Sequence, residues 1–255
     1  MKKIIWVFIT IALLALLIIT GLIIFDNLRD KTNGCFFRRV YGSIGCFDDS
    51  SIIVNYEMFN FSETDMSFLD NKDKLSFNDS SITIEAVSYE KNNKEKNLET
   101  YTVSFNISIK EKRNANIKKL IYGTEKNAEY LLGDLTIYYL NQERLSLNHS
   151  VDTGLTNNCA IITITNNKDY PINLEELLYD NQYISVTNFQ DAYIAIGETK
   201  EIKINTVIKI NDPDIVYFLP ILEIKMNGKT YCFMPFNQIS NYKGMTYQDV
   251  KAYIK

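Results

Sequence analysis

The sequence predicts a mainly β protein, in which an N-terminal transmembrane helix precedes one or two antiparallel β-sandwich units with few short helices. An uncharged apolar run of 22 residues stands near the start of the chain. Later segments repeatedly alternate apolar and polar residues, as half-buried strands do. The 255 residues carry a net charge of −4 with both signs interspersed, which argues against a nucleic-acid partner because such proteins present a basic face.

The apolar run Ile4–Phe25 follows the short basic N-terminus 1–3 and ends at Asp26. As a helix it would be about 33 Å long, enough to cross a hydrocarbon core of about 30 Å. It is longer than the apolar region of a secretory signal, and no small-residue cleavage site follows it. We therefore expect an uncleaved single-pass signal anchor in the cell membrane, with a cleaved signal as the alternative.

The charges that flank the anchor do not decide its orientation. Lys2 and Lys3 precede it, and the basic residues that follow it are Arg29, Lys31, Arg38 and Arg39. The positive-inside rule counts such residues on both sides and favours neither clearly. The cysteine content and the strand content favour an extracytoplasmic body, and the reversed topology with a cytoplasmic body stays open.

Segment 26–48 is predicted to be a stalk that carries a cysteine loop. The four cysteines of the chain are Cys35, Cys46, Cys159 and Cys232. An even number is compatible with two disulfides in an oxidising compartment, with three possible connectivities. Cys35–Cys46 is the simplest local pair, and four buried free thiols in a reducing compartment are the alternative.

Segment 49–150 is predicted to be the first β unit. Tyr101–Ile109 alternates along its whole length, and Leu135–Leu140 is apolar on both faces, as a central strand would be. Ser81–Tyr89 alternates until Ala86 and Val87, where the apolar face switches. A β-bulge at that point would explain the switch.

Segment 151–242 is predicted to be the second β unit. Ala160–Thr165 reads as a central strand, and Glu201–Ile210 alternates. Ile221–Met226 and Lys229–Met234 flank Asn-Gly, the strongest short-range signal of a hairpin with a type I′ turn. That register places Cys232 beside Lys225 and Thr230, on the more polar face.

Three short helices are predicted from residues that commonly begin or end helices. The first is Thr124–Leu132, which Gly133 would end, and the second is Asn173–Tyr179, which Asn173 would cap. The third lies in 243–255 and would begin at Thr246–Asp249. The last helix places Val250, Tyr253 and Ile254 on one side. It would cover either a sheet edge or a partner.

Two stretches of the second unit resemble a known group of domains. Ile162–Ile172 runs from a strand into Asn-Asn-Lys-Asp-Tyr-Pro-Ile, and Tyr193–Ile204 passes through Gly-Glu into an alternating strand. Over residues 159–234 this resembles prokaryotic immunoglobulin-like sandwiches, such as the cell-adhesion-related bacterial domain and the major-sperm-protein-like domain. The resemblance implies a sandwich with a binding or spacer role. The core Trp of antibody domains is missing, because the single Trp is Trp6.

Few residues could carry chemistry. His149 is the single His and lies in a predicted loop without a nucleophile elbow. The tight acidic pairs Asp48-Asp49 and Asp212-Pro213-Asp214 lack the spacing of a calcium loop and read as turns. We predict no catalytic residue, no cofactor and no metal site. A basic cluster that would contact an anionic polymer or headgroups, or else form a solvated loop, is Lys110, Lys112, Arg113, Lys118 and Lys119.

These observations predict a non-enzymatic, membrane-anchored, extracytoplasmic β-sandwich protein. It would act as a binding or structural module of the cell surface, in adhesion, in the envelope or in a surface complex. The membrane would be contacted through Ile4–Phe25, and the partner would be a protein or a surface polymer. The alternatives are a cytoplasm-facing membrane scaffold or accessory subunit, and an anchored hydrolase that uses a pair of carboxylates.

Overall fold

The computed structural model describes residues 34–47, 51–123, 128–154, 159–178, 182–210, 214–218, 220–234, 238–240 and 244–254. The predicted anchor Ile4–Phe25 and the pair Asp48-Asp49 lie outside these residues. Within the described part of the chain, no helix has both the length and the apolar character needed to cross a bilayer. Gly34–Lys255 forms one compact unit.

Strands dominate this unit, as the sequence predicts. The first eight are β1 (Gly34–Phe37), β2 (Val40–Phe47), β3 (Ile52–Phe61), β4 (Leu75–Phe77), β5 (Ile82–Glu95), β6 (Leu98–Ile109), β7 (Ala115–Tyr122) and β8 (Ala128–Leu140). Two 3₁₀ turns, Ser67–Asp70 and Lys72–Lys74, connect β3 to β4.

The remaining strands alternate between three sheets. They are β9 (Glu143–Arg144), β10 (Asn148–Gly154), β11 (Cys159–Thr165), β12 (Ile172–Leu178), β13 (Ile184–Asn188), β14 (Ala192–Ile194), β15 (Thr199–Ile208), β16 (Ile215–Phe218), β17 (Ile221–Met226), β18 (Lys229–Phe233) and β19 (Gln238–Ser240). Helix α1 (Tyr247–Tyr253) follows them.

The first sandwich, as we call it, packs two sheets around one core. Its four-stranded sheet has the order β1-β3-β6-β5, and its six-stranded sheet has the order β19-β16-β2-β8-β7-β4. Alternate residues of β3 and β6 point into the core, which explains the period of two in the sequence. Core side chains from the two sheets include Val54, Tyr56, Phe105, Ile117 and Leu135.

The second sandwich is built in the same way from later residues. Its sheets have the orders β10-β11-β15-β13 and β14-β12-β17-β18-β9. Its core includes Ile162, Ile204, Leu174, Ile224 and Phe233. The sandwich expected from the alternating segments is therefore present, in the coarse sense of stacked sheets with apolar inner faces.

Strand β16 belongs to both sandwiches. It pairs in parallel with β2 in the first sandwich, although it lies beyond residue 151, where the sequence suggested a boundary between the units. Ile215 joins the first core, and the next residue, Val216, joins the second. Neighbouring residues of a strand point to opposite faces, so one strand supplies side chains to both cores.

Several local predictions are confirmed. The β5–β6 register shifts between Ile84 and Ala86, so the bulge lies where the apolar face switches. Met226 pairs with Lys229 across the predicted hairpin turn. Asn227 and Gly228 have φ values of 49° and 73°, and a type I′ turn needs a positive φ at both of its central residues.

Two predicted helices are wrong. Asn173 starts no helix, because Ile172–Leu178 is strand β12, which is hydrogen-bonded between β14 and β17 and buries Ile172 and Leu174. Residues 128–132 of the other segment belong to β8, and residues 124–127 lie outside the described part. Gly133 has a φ of +111°, and a Cβ there would lie 2.1 Å from the carbonyl oxygen of Val40. Gly133 therefore allows two strands to approach each other closely. In both segments, pairing with distant strands overrides the local helix signals.

Helix α1 begins at the predicted signal. The hydroxyl of Thr246 accepts a hydrogen bond from the backbone N–H of Asp249, whose carboxylate accepts one from the backbone N–H of Thr246. Tyr247 and Val250 pack on Phe59, Phe61 and Leu98. The helix therefore covers the outer face of the four-stranded sheet in the first sandwich.

The core of the first sandwich contains a buried hydroxyl that predicts an unusual mutational result. Tyr56 is 1% exposed, and its hydroxyl has no hydrogen-bond partner among the described residues. An unsatisfied buried polar group costs about 1–3 kcal/mol, so Tyr56→Phe should leave the free energy of unfolding unchanged or raise it. Urea denaturation measures the effect.

Tyr253→Phe is the matched control, because the Tyr253 hydroxyl is fully used. It donates to Asp214 Oδ1 at 2.8 Å and accepts from the backbone N–H of Arg39 at 2.8 Å. We expect this variant to lose about 1–3 kcal/mol. A clear loss of stability in Tyr56→Phe would contradict our account of the core.

Candidate functional site

One buried amide organises the end of the second sandwich that lies farthest from the first. Asn166 follows β11 and is fully buried. Its Nδ2 donates to the carbonyl oxygens of Tyr170 at 2.9 Å and Ile194 at 3.1 Å. Its Oδ1 accepts from the backbone N–H of Lys168 at 3.0 Å. One side chain therefore fixes its own loop and joins it to strand β14.

The backbone of Asn166 joins the same loop to the turn after β14. Its N–H donates to the carbonyl of Glu198, and its carbonyl accepts from the N–H of Gly197, both at 2.9 Å. Gly197 has a φ of +75°, which a type II turn needs at its third residue. The Glu198 carboxylate also accepts from the N–H of Ala195 at 2.7 Å, so the turn is braced from both sides.

These loops present large side chains to solvent. Tyr170, Tyr193 and Ile196 are 48%, 55% and 59% exposed. The loops lie at the same end of the sandwich as the Asn227-Gly228 turn, because Ile172 pairs with both Ile194 and Met226. We call this end, comprising residues 166–171, 193–198 and 227–228, the distal tip.

The two exposed tyrosines of the distal tip are of a residue type that is common in protein contact surfaces. Tyrosine side chains supply large amphipathic area with little conformational freedom to lose, and they are enriched in protein interfaces. Loops held by a rigid scaffold commonly carry binding residues. The buried bonds of Asn166 hold the loops in place, and a surface held in one conformation loses less entropy on binding than a mobile one.

The cysteines do not form the expected local bridge. Cys35, Cys46 and Cys232 form no disulfide with one another, and the side chain of Cys159 lies outside the described part. Cys35 is on β1, whereas Cys46 lies six residues after Val40 on β2 of the opposite sheet, about 20 Å along that strand. The predicted Cys35–Cys46 disulfide is therefore wrong for this structure.

Cys232 also differs from its prediction. It is fully buried, and it packs with Leu140 and Ile221 where the two sandwiches meet. The hairpin register was right, but the sequence could not show that the first sandwich covers this face. Burial, with smaller contributions from nearby carboxylates, raises the pKa of the Cys35 and Cys232 thiols to about 11.

The basic cluster is largely compensated by carboxylates. Its members lie on the turn after β6 and on β7. Arg113 pairs with Asp79 at 2.9 Å and with Glu111 at 2.5 Å. Lys118 lies 3.6 Å from Asp134, and Lys119 lies 2.6 Å from Glu129, while Lys110 and Lys112 are exposed. An anionic polymer would have to compete with these carboxylates, so this contact stays a prediction.

Asp79 is the best-anchored carboxylate of that region. Burial opposes its ionisation, but hydrogen bonds from the Ser81 hydroxyl and backbone N–H, from Arg113 and from the backbone N–H of Asn116 outweigh burial. Together they lower the pKa of Asp79 from 3.8 to about 2. The group therefore stabilises the loop between β4 and β5 rather than serving as an acid or base near neutral pH.

The remaining candidate side chains, His149 and Asp214, are held by contacts within the protein. The Nδ1 of His149 lies 2.9 Å from the carbonyl oxygen of Leu147, and its ring packs edge-on against Phe233. Asp214 accepts hydrogen bonds from Arg39 and Tyr253, and residues 211–213 lie outside the described part. Among the described residues, no three His, Cys, Asp or Glu side chains come together as metal ligands.

Comparison with known proteins adds no family. No protein family matches the chain, and no curated protein matches it. A crystal structure of a protein of unknown function from Porphyromonas gingivalis aligns with 77% of this chain and 95% of its own, at 11% identity. The TM-score of 0.22 is too low to support an inference about fold or function.

The role of Asn166 predicts a large effect for a single truncation. Asn166→Ala would leave the carbonyls of Tyr170 and Ile194 without their donor, so we expect a loss of about 2–4 kcal/mol in the free energy of unfolding. Asn167→Ala, at the adjacent exposed position, should change it by less than about 0.5 kcal/mol. Urea denaturation compares the two, and equal effects would refute the role of Asn166.

The lowered pKa of Asp79 predicts a pH dependence with a definite sign. Because the folded pKa lies below the unfolded one, the stabilisation is complete above about pH 4 and is lost as pH falls towards about 2. Asp79→Asn should therefore be less stable than the native chain at pH 7, and the difference should shrink at pH 3. Asp73→Asn, at an exposed position, is the control. A difference that stays constant with pH would contradict this assignment.

Proposed function

We propose that this chain is a non-enzymatic, membrane-anchored, extracytoplasmic β-sandwich protein that binds a surface partner through the distal tip. The observation that carries the proposal is the exposure of Tyr170, Tyr193 and Ile196 on loops that a buried Asn166 holds in place. A site built for rigid contact, rather than for proton transfer or metal binding, suits an adhesion module or a subunit of a surface complex.

The strand order of the second sandwich supports an immunoglobulin-like assignment. Immunoglobulin domains place strands A-B-E-D in one sheet and C-F-G in the other. Here β10-β11-β15-β13 and β12-β17-β18 follow that order. The Asn-Asn-x-Asp-x-Pro and Gly-Glu stretches that carry the sequence resemblance meet at Asn166. This agreement supports a binding or spacer role, which is the common use of such domains.

The membrane attachment in this proposal rests on the apolar run Ile4–Phe25. Its length and lack of charge suit a single-pass helix. Eight residues, 26–33, separate it from the first described residue, Gly34. The connection between the proposed anchor and the described body is therefore short.

The reversed topology is a second candidate, and one observation favours it. Cys35 and Cys232 are free thiols, which suits a reducing compartment. In that case the body would be a cytoplasm-facing scaffold or accessory subunit. Burial explains the free thiols equally well, because a raised pKa keeps a thiol protonated and slow to oxidise.

Protease treatment of intact cells separates the two topologies. A chain with a C-terminal tag should stay in the membrane fraction after an alkaline carbonate wash, and external protease should remove the tag from intact cells. A cytoplasmic protein serves as the control for cell integrity. Loss of the tag only after lysis would establish the reversed topology, and release by carbonate would refute the anchor.

Site-specific photocrosslinking tests the distal tip on the same cells. A photoreactive residue in place of Ile196 should give a defined adduct, and the same residue in place of Ile53 should not. Ile53 is 65% exposed, so it controls for exposure alone. Equal adducts from both positions, or none from Ile196, would remove the distal tip as the contact surface.

A further inference from the structure

A pocket of about 380 Å³ opens beside the first described residues of the chain. This volume lies within the range of ligand pockets, roughly 300–1,000 Å³. The pocket lies between the start of β1, the start of β8 and the end of helix α1. Its lining includes Cys35, Phe36, Phe37, Arg39, Glu129 and Leu131.

Most of the lining is apolar and rigidly packed. Phe37 packs edge-on against Tyr130 at 5.7 Å, and Phe36 packs edge-on against Phe61 at 6.2 Å. Leu131 stands at the rim with 61% of its surface exposed. An isolated aliphatic side chain next to an aromatic pocket favours an apolar ligand over water, because covering it removes apolar surface from water.

Arg39 places a positive group beside this apolar surface. Its Nε donates to Asp214 Oδ1 at 3.2 Å and to the Tyr253 hydroxyl at 3.0 Å, which fixes the plane of the guanidinium. Its side chain is 42% exposed, and its two Nη nitrogens bond to none of the described residues. These nitrogens form the fork that binds a phosphate in two places.

Two carboxylates near Arg39 already have partners. Asp214 accepts from Arg39 and Tyr253, and Glu129 pairs with Lys119 at 2.6 Å. Asp214 therefore offsets part of the charge of Arg39, and a phosphate would bind through the two Nη nitrogens that Asp214 does not contact. A ligand with a phosphate at Arg39 and a hydrocarbon part against Phe36, Phe37 and Leu131 matches both halves of the pocket.

The position of the pocket along the chain identifies the source of such a ligand. Cys35 follows the end of the apolar run, Phe25, by ten residues. At about 3.5 Å per residue even an extended chain spans at most about 35 Å. If Ile4–Phe25 is the anchor, as the proposed function requires, this short connection makes the lipids of that bilayer the ligands that the pocket meets at the highest effective concentration.

We propose that this pocket binds an anionic phospholipid of the bilayer to which the chain is anchored, with the phosphate at Arg39 and part of an acyl chain against the aromatic wall. The source of the lipid rests on the proposed membrane anchor. The pocket itself rests on the described residues. Lipid binding here would hold the first sandwich against the bilayer and leave the distal tip free for its own partner.

Protection of Cys35 tests this proposal, because Cys35 is one of the residues that line the pocket. The full chain in a non-ionic detergent is alkylated in the presence of short-chain dioctanoyl phosphatidylglycerol or dioctanoyl phosphatidylcholine, and mass spectrometry measures the rate at Cys35. Near three times Kd of the anionic lipid, three quarters of the sites are filled and the rate should fall about fourfold. The zwitterionic lipid at the same concentration should change it little, and the Cys46 and Cys232 rates serve as internal controls.

Three variants complete the test. Arg39→Gln and Leu131→Gln should each abolish the protection, while Ile53→Gln, at a remote exposed position, should keep it. Leu131 makes no bond to helix α1, so that variant remains informative if Arg39→Gln loosens the helix. No protection, equal protection by both lipids, or protection that survives Leu131→Gln would each overturn the proposal. The carbonate wash reports on the anchor separately, so the two ideas can fail independently.

Discussion

The arrangement of the chain depends on one strand that serves two cores. β16 lies against β2 in the six-stranded sheet, and its consecutive residues Ile215 and Val216 enter the first and the second core. Strand alternation alone produces this result. Each core contains a side chain of β16, so the two sandwiches cannot be separated by cutting the chain at any single point. The junction is reinforced by the hydrogen bond of 2.6 Å from the Tyr183 hydroxyl to Asp134.

Rigidity in this protein comes from buried polar groups as much as from apolar contact. Asn166 satisfies its donors and acceptors within the protein, and the Tyr253 hydroxyl joins helix α1 to Arg39 and Asp214. Fully satisfied buried networks specify one arrangement of the backbone. Both networks tie together parts of the chain that are distant in sequence, and each lies beside one of the two surfaces that we assign to binding.

The sequence predicted those features that depend on neighbouring residues. The Asn227-Gly228 hairpin, the bulge near Ala86 and the Thr246 cap follow from local backbone chemistry, and the structure contains all three. Asn173 and Gly133 gave false helix signals, because the same residue types cap and end helices. The local sequence does not show that distant strands hold these segments extended. In the sequence, Asn166 stood out only as part of the resemblance to immunoglobulin-like sandwiches. Its role depends on contacts with residues that follow it by up to 32 positions.

The parallel pairing of β2 with β16 has a consequence for synthesis. About 170 residues separate these partners in the chain, and a ribosome adds roughly 5–20 residues each second. For roughly ten to thirty seconds the nascent first sandwich therefore presents β2 as an unpaired edge beside an incomplete core. Such an edge can pair with other chains. Shielding the growing polypeptide until β16 has been made would therefore limit such pairing.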